Sequence, residues 1–147
     1  MTFKRSHQRG SALVEFSLVI TTLMLLSLGV FDFGLAIQQG VTVSAAAHAG
    51  AEYGATEGNS NDIVGMQNAA AASAPGLTNF SSIASTWCTC SVTSGVTVNC
   101  STTLCNTYDL PIQYVQVQTS ATVPILFRFA GAPLSIPLNG VSTLRAR

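Results

Sequence analysis

From Ser11 to Ile37 the chain is an almost unbroken run of apolar and small residues, charged only at Glu15 and Asp32. No proline interrupts it, or the alanine-rich stretch beyond it through Ser44, Ala45, Ala46, Ala47, Ala49 and Ala51. The pattern predicts one long helix over residues 11–57. At ~1.5 Å per residue this helix is about 70 Å long. A bilayer core takes up roughly 20 helical residues, so a span over about 16–37 leaves the remainder projecting. On the projecting part Ala46, Gly50, Gly54 and Gly58 recur every fourth residue. Small residues at that spacing let backbones approach closely, against either the protein's own globular part or neighbouring copies. Each glycine lowers helix propensity by about 1 kcal/mol relative to alanine, so the stripe calls for a packing reason.

Gly58-Asn59-Ser60-Asn61 breaks the long helix. Ser60 or Asn61 can cap a short second helix from about Asp62 to Ser73, stopped by Pro75-Gly76. Residues 77–85 read as loop. The period then changes to two. Thr86 to Thr93 and Val96 to Ser101 flank Ser94-Gly95, a hairpin signal. Tyr114 to Val123 alternates cleanly, with Val115, Val117, Thr119, Ala121 and Val123 on one face, which predicts a strand. An apolar connection from Pro124 to Pro137 has room for a short strand at Ile125–Phe129. Asn139-Gly140 precedes a last strand, about Val141 to Ala146. The expected fold class is α+β: a long N-terminal helix, then a small antiparallel sheet of three to four strands with one short helix. The expected division is a leader at 1–10, the helix at 11–57 and a head at 58–147.

Composition sharpens this picture. Charged residues make up 8% of 147, against an average near 25%, and mean hydropathy is +0.43. Low charge with high hydrophobicity favours membrane contact over disorder. Net charge is zero but unevenly placed. Lys4, Arg5 and Arg9 precede the apolar run, and no further Lys or Arg follows until Arg128. That bias sets the N-terminus in the cytoplasm and the bulk of the chain outside. No extended basic patch suits a nucleic acid. An ordinary cleaved secretion signal fits poorly: Ala45-Ala46-Ala47 offers a small-residue site, but an h-region is only about 7–15 residues.

Cys88, Cys90, Cys100 and Cys105 lie in the part expected outside the membrane. An even count there reads as two disulfides. The spacing is not a clean zinc pattern, so no metal site is expected. Four cysteines allow three connectivities. A three-residue turn at Ser94-Gly95 sets Cys90 opposite Cys100, which favours Cys90–Cys100 with Cys88–Cys105. Trp87, beside Cys88, reads as core packing against a disulfide. His48 is the one histidine outside the first ten residues, and nothing positions a Ser–His–Asp arrangement around it. No phosphate loop, dinucleotide fingerprint or H-E-x-x-H is present. The expectation is no enzyme and no cofactor.

One junction remains, Arg9-Gly10-Ser11-Ala12-Leu13-Val14-Glu15-Phe16. A carboxylate within hydrocarbon costs about 2.5–3.5 kcal/mol on insertion scales and usually has a partner and a role. The basic leader, Gly10 and Glu15 together resemble the prepilin leader of type IV pilins. With Gly29-Val30-Phe31-Asp32-Phe33-Gly34-Leu35-Ala36 and the alanine-rich helix, the chain resembles the TadE-like family, pseudopilins or minor pilins of the tight-adherence (Flp, type IVc) pilus. The strand at 114–118, Pro124-Ile125-Leu126-Phe127 and the Trp87–Cys105 block are similar to the family's later part.

The resemblance implies cleavage between Gly10 and Ser11 by a prepilin peptidase, with the hydrophobic helix retained. It implies assembly roles for Glu15, Phe16 and Asp32. The new α-amine of Ser11 is then the natural partner of Glu15, between subunits or, at i and i+4, within one chain; a Glu15 solvated among headgroups is the idle alternative. Asp32 either marks the outer membrane interface or makes a second assembly contact. The implied partners are the peptidase, other pilins and pseudopilins, the inner-membrane assembly platform and membrane lipid. The implied location is the bacterial inner membrane, with the head outside and incorporation into a surface pilus open. The alternative is an unprocessed single-pass envelope protein whose head binds a ligand or partner.

Overall fold

The computed structural model describes residues 9–90, 96–101, 105, 110–126 and 134–146, with side chains from Ser11 onward. The leader residues 1–8 and the Ser94-Gly95 turn expected from the sequence lie outside this set, as do Phe127 to Phe129 of the proposed short strand. The element order is α1 (Arg9–Ala55), α2 (Ile63–Ala72), β1 (Ser81–Thr89), β2 (Thr97–Val98), β3 (Ile112–Pro124) and β4 (Ser135–Arg145).

Helix α1 is a single element of 47 residues, as the proline-free pattern predicts. It ends at Ala55, and Gly58 takes a left-handed φ of +86° in the turn beyond. Asp62, not the expected Ser60 or Asn61, caps α2, its carboxylate accepting from the Gly65 N–H at 2.8 Å, which satisfies one of the first-turn donors.

The four strands form one antiparallel sheet in the order β2-β1-β3-β4. The inner face of β3 carries Val115, Val117, Thr119, Ala121 and Val123, all buried, as its period of two requires. This face packs on α1, and α2 packs beside it against the helix's last turns and the sheet. The shared core joins Ala51, Met66, Ala70, Ala84, Val115 and Val117.

Three expectations are corrected. Residues 81–85, read as loop, begin β1; their serines hide a strand whose inner face is made of small residues, Ser82 and Ala84. Asn139-Gly140, placed before the last strand, lies inside β4, opposite Ser120 and Thr119. The disulfides are Cys88–Cys100 and Cys90–Cys105. The physical reason is register. Cys88 pairs with Val98 and Thr89 with Thr97, a register in which Cys100 stands two residues past the partner of Cys88 and not opposite Cys90. Cys100 therefore falls near Cys88, and Cys90 leaves the ladder to meet Cys105. Trp87 also departs from its expected place: it faces away from buried Cys88 and stacks on Tyr114, ring centroids 6.0 Å apart.

Candidate functional site

The two halves of α1 have opposite surroundings. From Ser11 to Ser27 every residue is exposed. The exposed side chains include Leu13, Phe16, Leu23 and Leu26, so the helix is apolar all round. Such a helix belongs inside a membrane or a larger assembly. Its hydroxyls beyond Ser11 are satisfied locally: Ser17 donates to the Val14 carbonyl at 2.8 Å, Thr21 to Ser17 at 2.7 Å, Thr22 to Leu18 at 2.9 Å and Ser27 to Leu23 at 2.8 Å. Back-bonding of this kind answers the demand that polar groups in lipid find partners within the segment. Glu15 cannot answer it that way. An ionised carboxylate only accepts, and the carbonyls a turn below offer no donor. Gly10 and Ser11 occupy the first turn of α1, one turn before Glu15.

The other half is packed along one face. Val43, Ala46, Ala47 and Ala51 are fully buried. A Cβ on Gly50 would stand 2.8 Å from the Met66 carbonyl oxygen and 3.1 Å from both Ala70 Cβ and Val117 Cγ1. One on Gly54 would collide with the Met66 sulfur. Of the two packings open for the small-residue stripe, this structure contains the one within the chain: Gly50 and Gly54 admit α2, and Gly50 also meets β3. Gly58 stands apart from the stripe, with nothing within 4 Å of its Cβ position.

The sheet approaches α1 most closely at Gly140. A Cβ there would lie 2.8 Å from the Val43 carbonyl oxygen and 3.0 Å from Ser44 Cα. Beside it the buried Thr119 hydroxyl donates to the same Val43 carbonyl at 2.8 Å. Gly140 was concealed by its turn-like neighbour Asn139, while Thr119, a lone hydroxyl among inward valines, was a visible signal of a polar contact in the core.

Between the halves lies Asp32, half-buried. It lines a mostly apolar cavity of about 330 Å³ between α1 and the adjoining ends of β3 and β4. Its other walls include Phe33, Ala36, Val123, Ile125 and Ile136. At the far end of the head, Tyr53 donates to the Asp62 carboxylate at 3.0 Å. That hydrogen bond, and the carboxylate charge, hold the Tyr53 pKa above 10.0.

His48 Nδ1 lies 3.3 Å from Ser142 Oγ where helix and sheet meet. Among the described residues, no group of three His, Cys, Asp or Glu side chains is disposed to hold a metal. All four cysteines are spent in disulfides.

The family model of TadE-like protein matches residues 10–52. The match takes in both halves of α1, from Gly10 through Glu15 and Asp32 to Glu52. No curated protein and no solved structure matches the chain.

Proposed function

From a TadE-like N-terminal segment, we propose that the chain is a minor pilin or pseudopilin of a tight-adherence pilus. A prepilin peptidase removes residues 1–10. The mature protein sits in the bacterial inner membrane by residues 16–37, with its N-terminus cytoplasmic and the head outside. From there it enters the pilus or its priming complex, and the head serves assembly or adhesion. Its partners are other pilins and the assembly platform, and its role is structural.

The observation that carries this reading is the first half of α1: apolar on every side, self-satisfied in its hydroxyls and charged only at Glu15. A plain membrane anchor has no use for that carboxylate. Cleavage before Ser11 supplies one, because it creates an α-amine one helical turn away. An opposite charge stabilises the ionised form in hydrocarbon. Pairing with the amine of a neighbouring subunit would also fix the axial stagger between copies.

The test is Glu15→Ala, expressed from the native locus. Processing and head folding should be unchanged, because every residue of this half of the helix is exposed among the described residues, and the pilus fraction should lose the protein. Normal incorporation of the variant would remove Glu15 from the mechanism.

A further inference from the structure

We propose that the outer face of the sheet binds a neutral glycan, with one sugar unit seated between Ile83 and Val141. This site goes beyond the pilus reading and belongs to the head alone, so either can fail while the other holds.

Register sets the face. Val117 and Thr119 are buried toward α1, so Gln118 and Ser120 point the other way, and both are exposed. Strand pairing aligns them with their neighbours in two rows across β1, β3 and β4. One row is Ile83, Gln118 and Val141; the next is Ser81, Ser120 and Asn139. With strands ~4.8 Å apart and same-face residues about 6.6 Å apart, the six side chains frame a patch of roughly 10 Å by 7 Å. They line an open depression of about 150 Å³. Pockets for drug-sized ligands begin near about 300 Å³, so this one takes a single small unit of a longer molecule.

The lining has two aliphatic walls and four polar groups, none of them charged. Ile83 and Val141 are each more than half exposed and flank Gln118. The Gln118 Nε2 donates to Gln116 Oε1 at 3.0 Å, which leaves its carbonyl oxygen to accept. Ser81, Ser120 and Asn139 spend no side-chain hydrogen bond on the other described residues, and each can both donate and accept.

Charge complementarity decides the class of ligand. A phosphate or carboxylate would find no cation in the depression to repay its lost solvation. A lipid tail would strip water from four polar groups and return no hydrogen bond. An added peptide strand needs an open edge, and β3 is paired on both sides. An uncharged sugar meets every group. Its hydroxyls replace water at Gln118, Ser81, Ser120 and Asn139, and its C–H face rests on the two aliphatic side chains. Two rows beyond Gln118, Trp87 and Tyr114 stack on the same face. A glycan laid along the strands therefore reaches an aromatic surface across Gln116.

The test uses the full chain in a zwitterionic detergent without a sugar headgroup, on biosensor surfaces carrying dextran, mannan, galactan or the anionic polysaccharide alginate. At least one neutral surface should bind the protein more tightly than alginate. Gln118→Ala should weaken that binding about fivefold and Ile83→Asp at least about tenfold. Val64→Asp, on the exposed side of α2, should leave it unchanged. The urea midpoint, read from Trp87, shows which variants keep the parent fold; should Ile83→Asp lose it, Gln118→Ala decides. Binding to none of the three neutral surfaces would overturn the site, as would alginate binding of equal strength. Binding that survives both substitutions would place the glycan elsewhere and overturn it too. A dimer in detergent that Ile83→Asp converts to a monomer, with no polysaccharide bound, would put a second copy on the face instead.

Discussion

One helix carries two environments. Before Ser27 every residue of α1 from Ser11 on is exposed among the described residues, and after Val43 the helix is the core of a domain. The compositions look alike, since both halves are rich in small and apolar residues. They differ in side-chain size and in where glycine falls. Gly29 and Gly34 have nothing within 4 Å of their Cβ positions, while Gly50 is packed on three sides. Large side chains on every face suit a surface that lipid or other subunits cover. A stripe of Ala46, Gly50 and Gly54 suits a surface that the chain's own α2 and sheet cover. A glycine every fourth residue thus marks a helix meant for close contact, but it does not say with whom.

The comparison can be broken at its glycines. Gly50→Leu should cost about 3 kcal/mol of head stability, the upper part of the usual range for overpacking, because one neighbour is the Met66 backbone and cannot swing aside. Gly34→Leu should leave the head's urea midpoint unchanged and add about 1 kcal/mol of helix propensity. Trp87, stacked on Tyr114, provides the fluorescence readout for both. Equal effects at the two glycines would mean that the halves are not distinct.

A smaller effect sharpens the join between helix and sheet. Thr119→Val keeps the shape of the side chain and removes its donation to the Val43 carbonyl. The expected loss is about 1 kcal/mol, seen in urea unfolding at constant m-value. A loss near zero would mean that Gly140 alone sets the approach.

The smallest effect lies at the far end of α1. Tyr53 has its pKa raised by the Asp62 carboxylate it donates to, and by that group's charge. A pKa higher in the folded state than in the unfolded one gives stability that is whole below the unfolded value. It is lost as pH climbs through the folded value. The head should therefore lose stability on the alkaline side of pH 10, and Tyr53→Phe should abolish that part of the loss. A phenolate titration with all tyrosines at their ordinary value would contradict it.

Much of this was legible in the sequence because it rests on local rules. The long helix followed from an uninterrupted apolar run, and its end from Gly58. Strand β3 followed from alternation, and α2 from the break at Gly58–Asn61 and the stop at Pro75-Gly76, although its cap is Asp62 and not Ser60 or Asn61. What was hidden depended on contacts across the chain. Serines at 81, 82 and 85 read as loop because their strand is held by its neighbour β3, not by its own hydrophobicity. Gly140 read as lying before the last strand because the sequence does not show a helix backbone lying on it. The disulfide partners depended on a register that only the β1–β2 pairing fixes. At the candidate site, Glu15 and Asp32 stood out as rare charges in an apolar run. The cavity beside Asp32 did not, because residues about ninety positions away build its other wall.

The central claim is that the helix is made to be exposed by cleavage and then covered by other subunits. The most direct measurement is the mass of the mature N-terminus, from protein purified out of membranes that hold the pilus system. The account predicts a chain beginning at Ser11. A chain that retains Met1 to Gly10 would contradict it.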